Sequence, residues 1–136
     1  MWSSWLSHST LPALEQSVAF AQRRHTLLAG NIANLDVPGY RTRDLSVTDF
    51  QDSLRESIAA SQSPQSTSPG HQPTQSATEK LRDIQHQVLY HDGSDISLEQ
   101  QVTQISKNQS MHDTAIALMR SQFQTIQAAI RESVAI

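Results

Sequence analysis

The chain has 136 residues, of which 37% are hydrophobic and 5% aromatic, and it carries a formal net charge of −3 and no cysteine. This length suffices for one small domain, and the low apolar content predicts marginal stability for the isolated chain, because burial must offset an ordering cost of about 1–2 kcal/mol per residue. The charge gives no overall attraction to nucleic acid or to an anionic membrane surface, and the absence of cysteine excludes disulfides and thiol chemistry.

The first nine residues form a Ser-rich leader that contains Trp2 and Trp5. The leader lacks the basic start and the continuous apolar run of a cleavable secretory signal, and no run of about eighteen apolar residues predicts a membrane span elsewhere. We expect the leader to be disordered. Its tryptophans are either an export signal or anchor that becomes ordered on binding, or part of a frayed end that folds back on the first helix.

A long helix, capped by Ser9 or Thr10 and with Pro12 in its first turn, is predicted to run to about Leu35. Its apolar and small residues alternate at spacings of four and three, and a histidine fills the one gap. This pattern is typical of a helix that packs along one line against another helix. The members of this stripe are Leu11, Leu14, Val18, Ala21, His25, Leu28, Ile32 and Leu35.

The first helix leads into a predicted turn motif that comprises Asn31, Asn34, Pro38, Gly39 and Tyr40. A proline pushes the preceding residue out of the helical region, so the helix must stop, and a glycine can adopt the positive φ that a reversal needs. The two asparagines are three residues apart and share a helical face, where they can bond unpaired carbonyls or the following turn. The motif is therefore predicted to fix the angle at which the chain leaves the helix.

The middle of the chain is predicted to form short strands and a short helix. Residues 41–47 are expected to be extended, and a strand near 43–47 can pair with another near 88–96. Thr48 and Gln51 have the capping-box spacing that begins a short helix, which is predicted to run through Phe50, Leu54 and Ile58.

The predicted domain organisation follows from composition. Residues 57–78 are rich in Ser, Thr, Gln and Pro and contain no Asp, Glu, Lys or Arg, which predicts a flexible loop. Residues 10–56 and 79–132 are expected to form a single helical domain, preceded by the leader over residues 1–9.

A second long helix is predicted from Ser97, which has capping-box spacing with Gln100, to about Arg131. Its stripe continues the same alternation without a gap: Leu98, Val102, Ile105, Gln109, His112, Ile116, Met119, Phe123, Ile126 and Ile130. We predict an all-α fold in which two long terminal helices form an antiparallel coiled-coil-like hairpin around a short irregular middle. The stripes are expected to pair the two ends of one chain or the ends of neighbouring chains.

Side chains that could carry chemistry form no recognisable catalytic or metal-binding pattern. The six histidines lack ligand spacing, and no nucleophile elbow or phosphate-binding loop is present, so we expect no enzyme activity, cofactor or metal. His25 and His112 interrupt the two stripes either as hydrogen-bonded packing residues or as a facing pair that makes assembly pH-sensitive. Four arginines form a solvated basic face or a contact for an acidic neighbour: Arg23, Arg24, Arg41 and Arg43.

Two motifs resemble a known family. The sequence Ala-Asn-Leu-Asp-Val-Pro-Gly-Tyr at 33–40, preceded by Asn31, resembles the A-N-x-x-T-P-G-Y signature of bacterial flagellar basal-body rod and hook proteins. The sequence Asp-Gly-Ser-Asp-Ile at 92–96 resembles the family's D-G-N-x-V, and Asn108 stands where the family's long helix carries an asparagine. Val37 departs from the pattern, since Thr or Ser is usual there.

The resemblance covers residues 10–56 and 88–132, and the short length points to the proximal rod members. It implies a structural subunit that polymerises by helix packing into the flagellar rod, the drive shaft that transmits motor torque to the hook. The implied partners are other rod subunits, further copies of this chain, the membrane ring and the export apparatus, with no nucleic acid and no membrane insertion. The implied location is the periplasm-spanning rod, reached by flagellar type III export without a cleavable signal peptide.

The residues expected to carry assembly are the five turn residues and a set of stripe residues on both helices. The stripe set comprises Leu28, Ile32, Leu35, Ile116, Met119, Phe123, Ile126 and Ile130. The alternative function is a helical adaptor or export-chaperone-like protein that binds partners through one stripe and does not polymerise.

Overall fold

The computed structural model describes residues 9–62, 88–90 and 97–134. Within these ranges the chain forms three helices and two short strands, in the order α1 Leu11–Ala33, β1 Arg43–Leu45, α2 Val47–Gln62, β2 Val88–Tyr90 and α3 Leu98–Val134. The prediction of an all-α fold with two long terminal helices is confirmed. The predicted leader, apart from Ser9, and the predicted loop from residue 63 onward lie outside the described residues.

Helix α1 begins where the sequence predicts and ends slightly earlier. Pro12 occupies its first turn, where a missing N–H costs little, and the hydroxyl of Ser9 accepts a hydrogen bond of 3.3 Å from the Leu11 amide. The last helical residue is Ala33, whereas the stripe predicted continuation to about Leu35. The difference arises because side-chain caps, described below, close the helix before its apolar pattern runs out.

Helices α1 and α3 pack antiparallel, as predicted. Near the end of α1, Asn31 bonds Gln101 near the start of α3, and further back Ala21 is bonded by Asn108. The helices differ in length, with 23 residues in α1 and 37 in α3, or about 35 Å and 55 Å at 1.5 Å per residue. The C-terminal part of α3 therefore extends about 20 Å past the start of α1.

A small apolar core lies on a second face of α1, where β1 and α2 cover it. Phe20 and Phe50 are almost fully buried and stack with ring centroids 4.0 Å apart, and Leu45 completes the cluster. Burying a side chain of this size contributes about 1.5–3 kcal/mol, so this cluster anchors the middle of the chain to α1. The partly buried residues around it are Leu27, Val47, Leu54 and Met111.

The two strands form a short antiparallel ladder in which Arg43 pairs with Tyr90 and Leu45 with Val88. This pairing confirms the strand contact that the sequence predicted. The ladder brings the segment before α3 next to the segment after α1.

Helix α2 departs from its predicted bounds at both ends. It begins at Val47 because the hydroxyl of Ser46 accepts a hydrogen bond of 3.2 Å from the Asp49 amide, so the prediction of Thr48 as the cap was wrong. The last residue of β1, Leu45, is buried in the core and directly precedes this cap. The helix then continues to Gln62, past residue 56, where the folded segment was expected to end.

Helix α3 begins as the capping-box spacing predicts, since the Ser97 hydroxyl accepts a hydrogen bond of 3.3 Å from the Gln100 amide. It ends at Val134, close to the predicted Arg131. None of the helices in the described part of the chain is both long enough and apolar enough to span a membrane.

Candidate assembly site at the turn and on the helix pair

The chain reverses through a tight turn after α1. The Tyr40 amide donates a hydrogen bond of 3.1 Å to the Val37 carbonyl, with Pro38 and Gly39 at the two central positions. Gly39 has a φ of 79°, the value that a type II turn requires at its second central residue, and proline is favoured at the first. A Cβ built on Gly39 would meet no atom within 4 Å, so the backbone angle alone demands glycine there.

Asn34 joins the end of α1 to this turn. Its side-chain amide donates a hydrogen bond of 2.8 Å to the Gly30 carbonyl, which also accepts a bond of 3.2 Å from the Asn34 backbone amide. Its own carbonyl accepts a bond of 3.1 Å from the Val37 amide. The asparagine therefore closes the helix and begins the reversal.

Asn31 is 1% exposed, and both polar atoms of its side chain are bonded. Its Nδ2 donates to the Arg43 carbonyl at 2.7 Å and to Gln101 Oε1 at 3.2 Å. Its Oδ1 accepts from the Arg43 amide at 2.9 Å and from the Tyr40 hydroxyl at 3.3 Å. The amide uses its full capacity of two donors and two acceptors, so it ties α1 to the turn, to β1 and to α3 at one point.

A charged pair that the sequence analysis did not identify lies about two helical turns away from this point along α1. Arg24 is 7% exposed and donates two hydrogen bonds of 2.7 Å to the two carboxylate oxygens of Asp44 in β1. Its Nη2 also donates to Gln104 Oε1 of α3 at 2.9 Å. A bidentate guanidinium–carboxylate pair is strong and directional, so Arg24 holds β1 and α3 against α1.

The face of α3 that contacts α1 lies to one side of the predicted stripe. Its buried residues are Gln101, Asn108 and Ala115, which recur every seven residues. Each directly precedes a stripe residue, and one residue rotates a helix by about 100°, so the stripe points about a quarter turn away from α1. Accordingly, Val102 of the stripe is 49% exposed.

Most of this contact face is polar and bonded. Asn108 is 2% exposed, and its Nδ2 donates to the Ala21 carbonyl at 2.7 Å, while its Oδ1 has no hydrogen-bond partner among the described residues. Gln101 accepts from Asn31, as described above. The pairing of the two helices within one chain therefore relies on specific hydrogen bonds as well as on apolar contact.

The predicted stripe residues are distributed unevenly between the interior and the surface. Leu28 is buried, whereas Phe123 is 49% exposed and Ile130 is 46% exposed. The partly buried members are Ile32, Leu35, Ile116, Met119 and Ile126. The described contacts within the chain thus leave a substantial part of the α3 stripe on the surface.

The two histidines that interrupt the stripes line the same cavity of about 140 Å³ in the groove between α1 and α3. His25 is exposed, and His112 is partly buried with its Nδ1 3.3 Å from Asp113 Oδ1. Among residues 9–62, 88–90 and 97–134, no group of three or more His, Cys, Asp or Glu side chains could hold a metal ion.

Sequence reasoning missed the second face of α1, formed by Phe20, Arg24, Leu27 and Asn31. These positions also follow the four-three-four spacing, but an arginine and an asparagine interrupt the apolar signal. Sequence reasoning also did not identify the heptad of Gln101, Asn108 and Ala115, because polar and small residues at heptad spacing resemble a solvated face. In both cases the partner lies far along the chain, so no local pattern reveals the contact.

These residues define a helical pairing module, in which two long antiparallel helices are joined at an asparagine-held turn and an apolar stripe remains on the surface. Three curated relatives show which proteins this chain is similar to. The flagellar basal body rod protein FlgB of Escherichia coli (strain K12) is 26% identical over 117 residues, which cover 79% of this chain and 83% of that protein. FlgB of Shigella flexneri and FlgB of Salmonella typhimurium (strain LT2) match with the same identity and coverage.

No family model matches the chain. The resemblance to flagellar basal-body rod proteins is nevertheless confirmed by these relatives, and this chain is similar to FlgB over most of its length. The comparisons support a component of the flagellar basal-body rod.

Proposed function

We propose that this chain is a structural, non-enzymatic subunit of the flagellar basal-body rod that assembles by packing its long helices against those of neighbouring subunits. In this role it forms part of the shaft that carries torque from the motor to the hook. The single observation that carries the proposal, beside the similarity to FlgB, is the exposed apolar stripe of α3.

Exposure of the apolar stripe to water is unfavourable for a protein that functions alone. Leu98, Val102 and Phe123 are each 49% exposed, although they belong to one continuous helical line. Monomeric proteins rarely leave extended apolar patches in water, and such patches usually mark contacts with other molecules. The part of α3 that extends about 20 Å beyond α1 continues this line, so a neighbouring helix can bury it along its whole length.

The polar contacts within the chain support the same proposal. Because Gln101 and Asn108 face α1, the stripe points toward neighbouring subunits. Contacts between different surface patches of identical or related subunits produce open helical assemblies, which is the geometry of a rod. Close-packed helices resist relative movement, and this resistance gives the assembly its torsional stiffness.

The proposed partners and location follow from the same family resemblance. They comprise further copies of this chain, other rod subunits, the membrane ring and the export apparatus, in the rod that crosses the periplasm. Export through the flagellar apparatus belongs to this proposal. The turn residues Asn31, Asn34, Pro38, Gly39 and Tyr40 are proposed to set the angle at which the middle of each subunit leaves the helical shaft.

The first test replaces two apolar stripe residues by polar ones in the double variant Phe123→Gln/Ile130→Gln. Both side chains are about half exposed, so the purified chain should keep the helical signal of the parent. In a strain whose own copy is replaced by the variant, we expect loss of the subunit from isolated basal bodies and loss of swimming motility.

The matched control is Ser121→Gln/Ala128→Gln, which places two glutamines seven residues apart on the opposite side of the same helical segment. Both positions are exposed, and incorporation should stay normal. Normal incorporation of the stripe variant would contradict the proposal. Purification of the parent chain as a discrete, closed oligomer would also contradict it, and would favour the adaptor function.

A further inference from the structure

We propose that the buried polar residues of the α1–α3 interface select one register between the two helices, and that Asn108 and Gln101 are the determinants of this selection. This inference concerns pairing within one chain and does not depend on the rod function. It assigns to these two side chains a role in specificity, whereas burial alone would suggest a role in packing.

The apolar residues cannot select the register by themselves. Of the three buried residues that α3 turns toward α1, Gln101, Asn108 and Ala115, only the small Ala115 is apolar. Such limited apolar contact leaves several offsets of the helix pair with nearly equal free energy. Something else must distinguish the observed offset from its neighbours.

The polar contacts discriminate between offsets because their partners on α1 are three different groups: a backbone carbonyl, a carboxamide and a guanidinium. Three hydrogen bonds join side chains of α3 to α1: Asn108 Nδ2 to the Ala21 carbonyl at 2.7 Å, Asn31 Nδ2 to Gln101 Oε1 at 3.2 Å and Arg24 Nη2 to Gln104 Oε1 at 2.9 Å. They lie at successive points along the interface. All three must therefore be satisfied by the same offset.

A slide of seven residues does not satisfy all three contacts. In the direction that brings Asn108 to Asn31, the thioether of Met111 would replace the amide of Gln104 opposite Arg24, and the methyl group of Ala115 would lie opposite the Ala21 carbonyl. In the other direction, Gln101 would lie opposite the Ala21 carbonyl, but the shorter Ser97 would replace Gln104 opposite Arg24, and Asn31 would lie beyond the start of α3. Buried polar groups left without partners are unfavourable, so the observed offset is the one that satisfies the interface.

The environment of Asn108 indicates that this residue selects the register of the helix pair and does not simply stabilise the pair. Its Oδ1 is buried and has no hydrogen-bond partner in the described part of the chain, so the side chain carries a cost that an apolar residue would not. A buried asparagine at a heptad position is a known means of fixing register at the expense of stability. Leucine has the same branched shape as asparagine, so Asn108→Leu tests directly whether the asparagine fixes the register at the expense of stability.

The experiment measures the distance between two spin labels by pulsed electron paramagnetic resonance. The chain has no cysteine, so labels attached to Ala29→Cys and Gln124→Cys are unambiguous, and both positions are exposed. These labels lie on different helices, and a one-heptad slide changes their separation by about 10 Å at 1.5 Å per residue. Labelled chain is diluted with unlabelled chain so that only distances within one molecule are observed.

We expect one narrow distance in the labelled parent and at least one additional distance, displaced by about 10 Å, in Asn108→Leu/Gln101→Leu. The melting temperature of this double variant should equal or exceed that of the parent. The single variant Asn108→Leu should give a smaller second population. Gln109→Leu is the matched control, since it makes the same kind of substitution at the exposed neighbouring position and should keep the single distance.

Three results would overturn the proposal. A single unchanged distance in the double variant would show that the apolar contacts suffice. Loss of helical structure in both Leu variants would show that the polar residues stabilise the pair without selecting its register. A broad distribution in the parent would show that these hydrogen bonds do not fix the register in the free chain.

Discussion

At the scale of single residues, a few side chains determine how the chain leaves α1. Asn34 caps the helix, Asn31 bonds β1 and α3, and Gly39 supplies the one positive φ among the described residues. Gly39 and Gly30 are close in sequence and both have open space around them, yet they differ in backbone conformation. They therefore separate the effect of the backbone angle from the effect of packing.

We expect Gly39→Ala to lower the free energy of unfolding by about 1–2 kcal/mol, because a side chain disfavours the left-handed backbone region. Gly30→Ala is the control and should raise it by about 0.5–1 kcal/mol, since Gly30 lies within a helix and alanine is the better helix former. Thermal melts followed by circular dichroism measure both values. Equal effects of the two substitutions would contradict the role of Gly39 in the turn.

At the scale of elements, the middle of the chain is attached to α1 by one small apolar cluster and one charged pair. Phe20 and Phe50 form the cluster, and Arg24 and Asp44 form the pair. The apolar cluster supplies most of the burial, but it is non-directional. The bidentate pair adds direction, because its two bonds fix the orientation of β1 relative to α1.

Arg24→Lys tests the directional part of this attachment. Lysine keeps the charge but cannot make two parallel bonds to the Asp44 carboxylate and a third to Gln104, so we expect a loss of about 1.5–3 kcal/mol in the free energy of unfolding. Arg55→Lys is the control, because its pair with Asp52 is exposed and should contribute less than about 1 kcal/mol. Denaturant titration gives both values, and similar effects at the two positions would refute the structural role of Arg24.

At the scale of the whole molecule, α3 presents two different faces. Its polar face pairs with α1, and its apolar stripe remains available to neighbours. The contacts with α1 lie between Gln101 and Leu118, whereas the stripe continues to Ile130. Pairing within one chain and the proposed assembly between chains therefore depend on different parts of the same helix.

Truncation after Ser121 separates pairing from the proposed assembly. The α1–α3 hydrogen bonds all precede the cut, so the purified fragment should keep a helical circular dichroism signal per residue similar to that of the parent, while incorporation into the rod is lost. The control is truncation after Glu132, which keeps the stripe through Ile130 and should assemble. A rod that contains the chain truncated after Ser121 would show that the exposed end of the stripe is not needed.

The sequence by itself determined the local features of this protein. Heptad spacing predicted both long helices, Pro38 and Gly39 predicted the reversal, and Ser97 predicted the start of α3, because each of these signals depends on neighbouring residues. The motif around Asn31 also led to the rod family, which the similarity to FlgB supports.

Only the tertiary structure decided which face of each helix is used within the chain. Arg24 and Asp44 are separated in sequence, and Asn108 lies still further from Ala21, so no local pattern could predict that these groups meet. The polar heptad of α3 has the sequence pattern of a solvated face, and only its contact with α1 identifies it as buried. The reason is physical: periodicity reveals that a helix has an apolar side, but hydrogen bonds between distant residues determine which side turns inward.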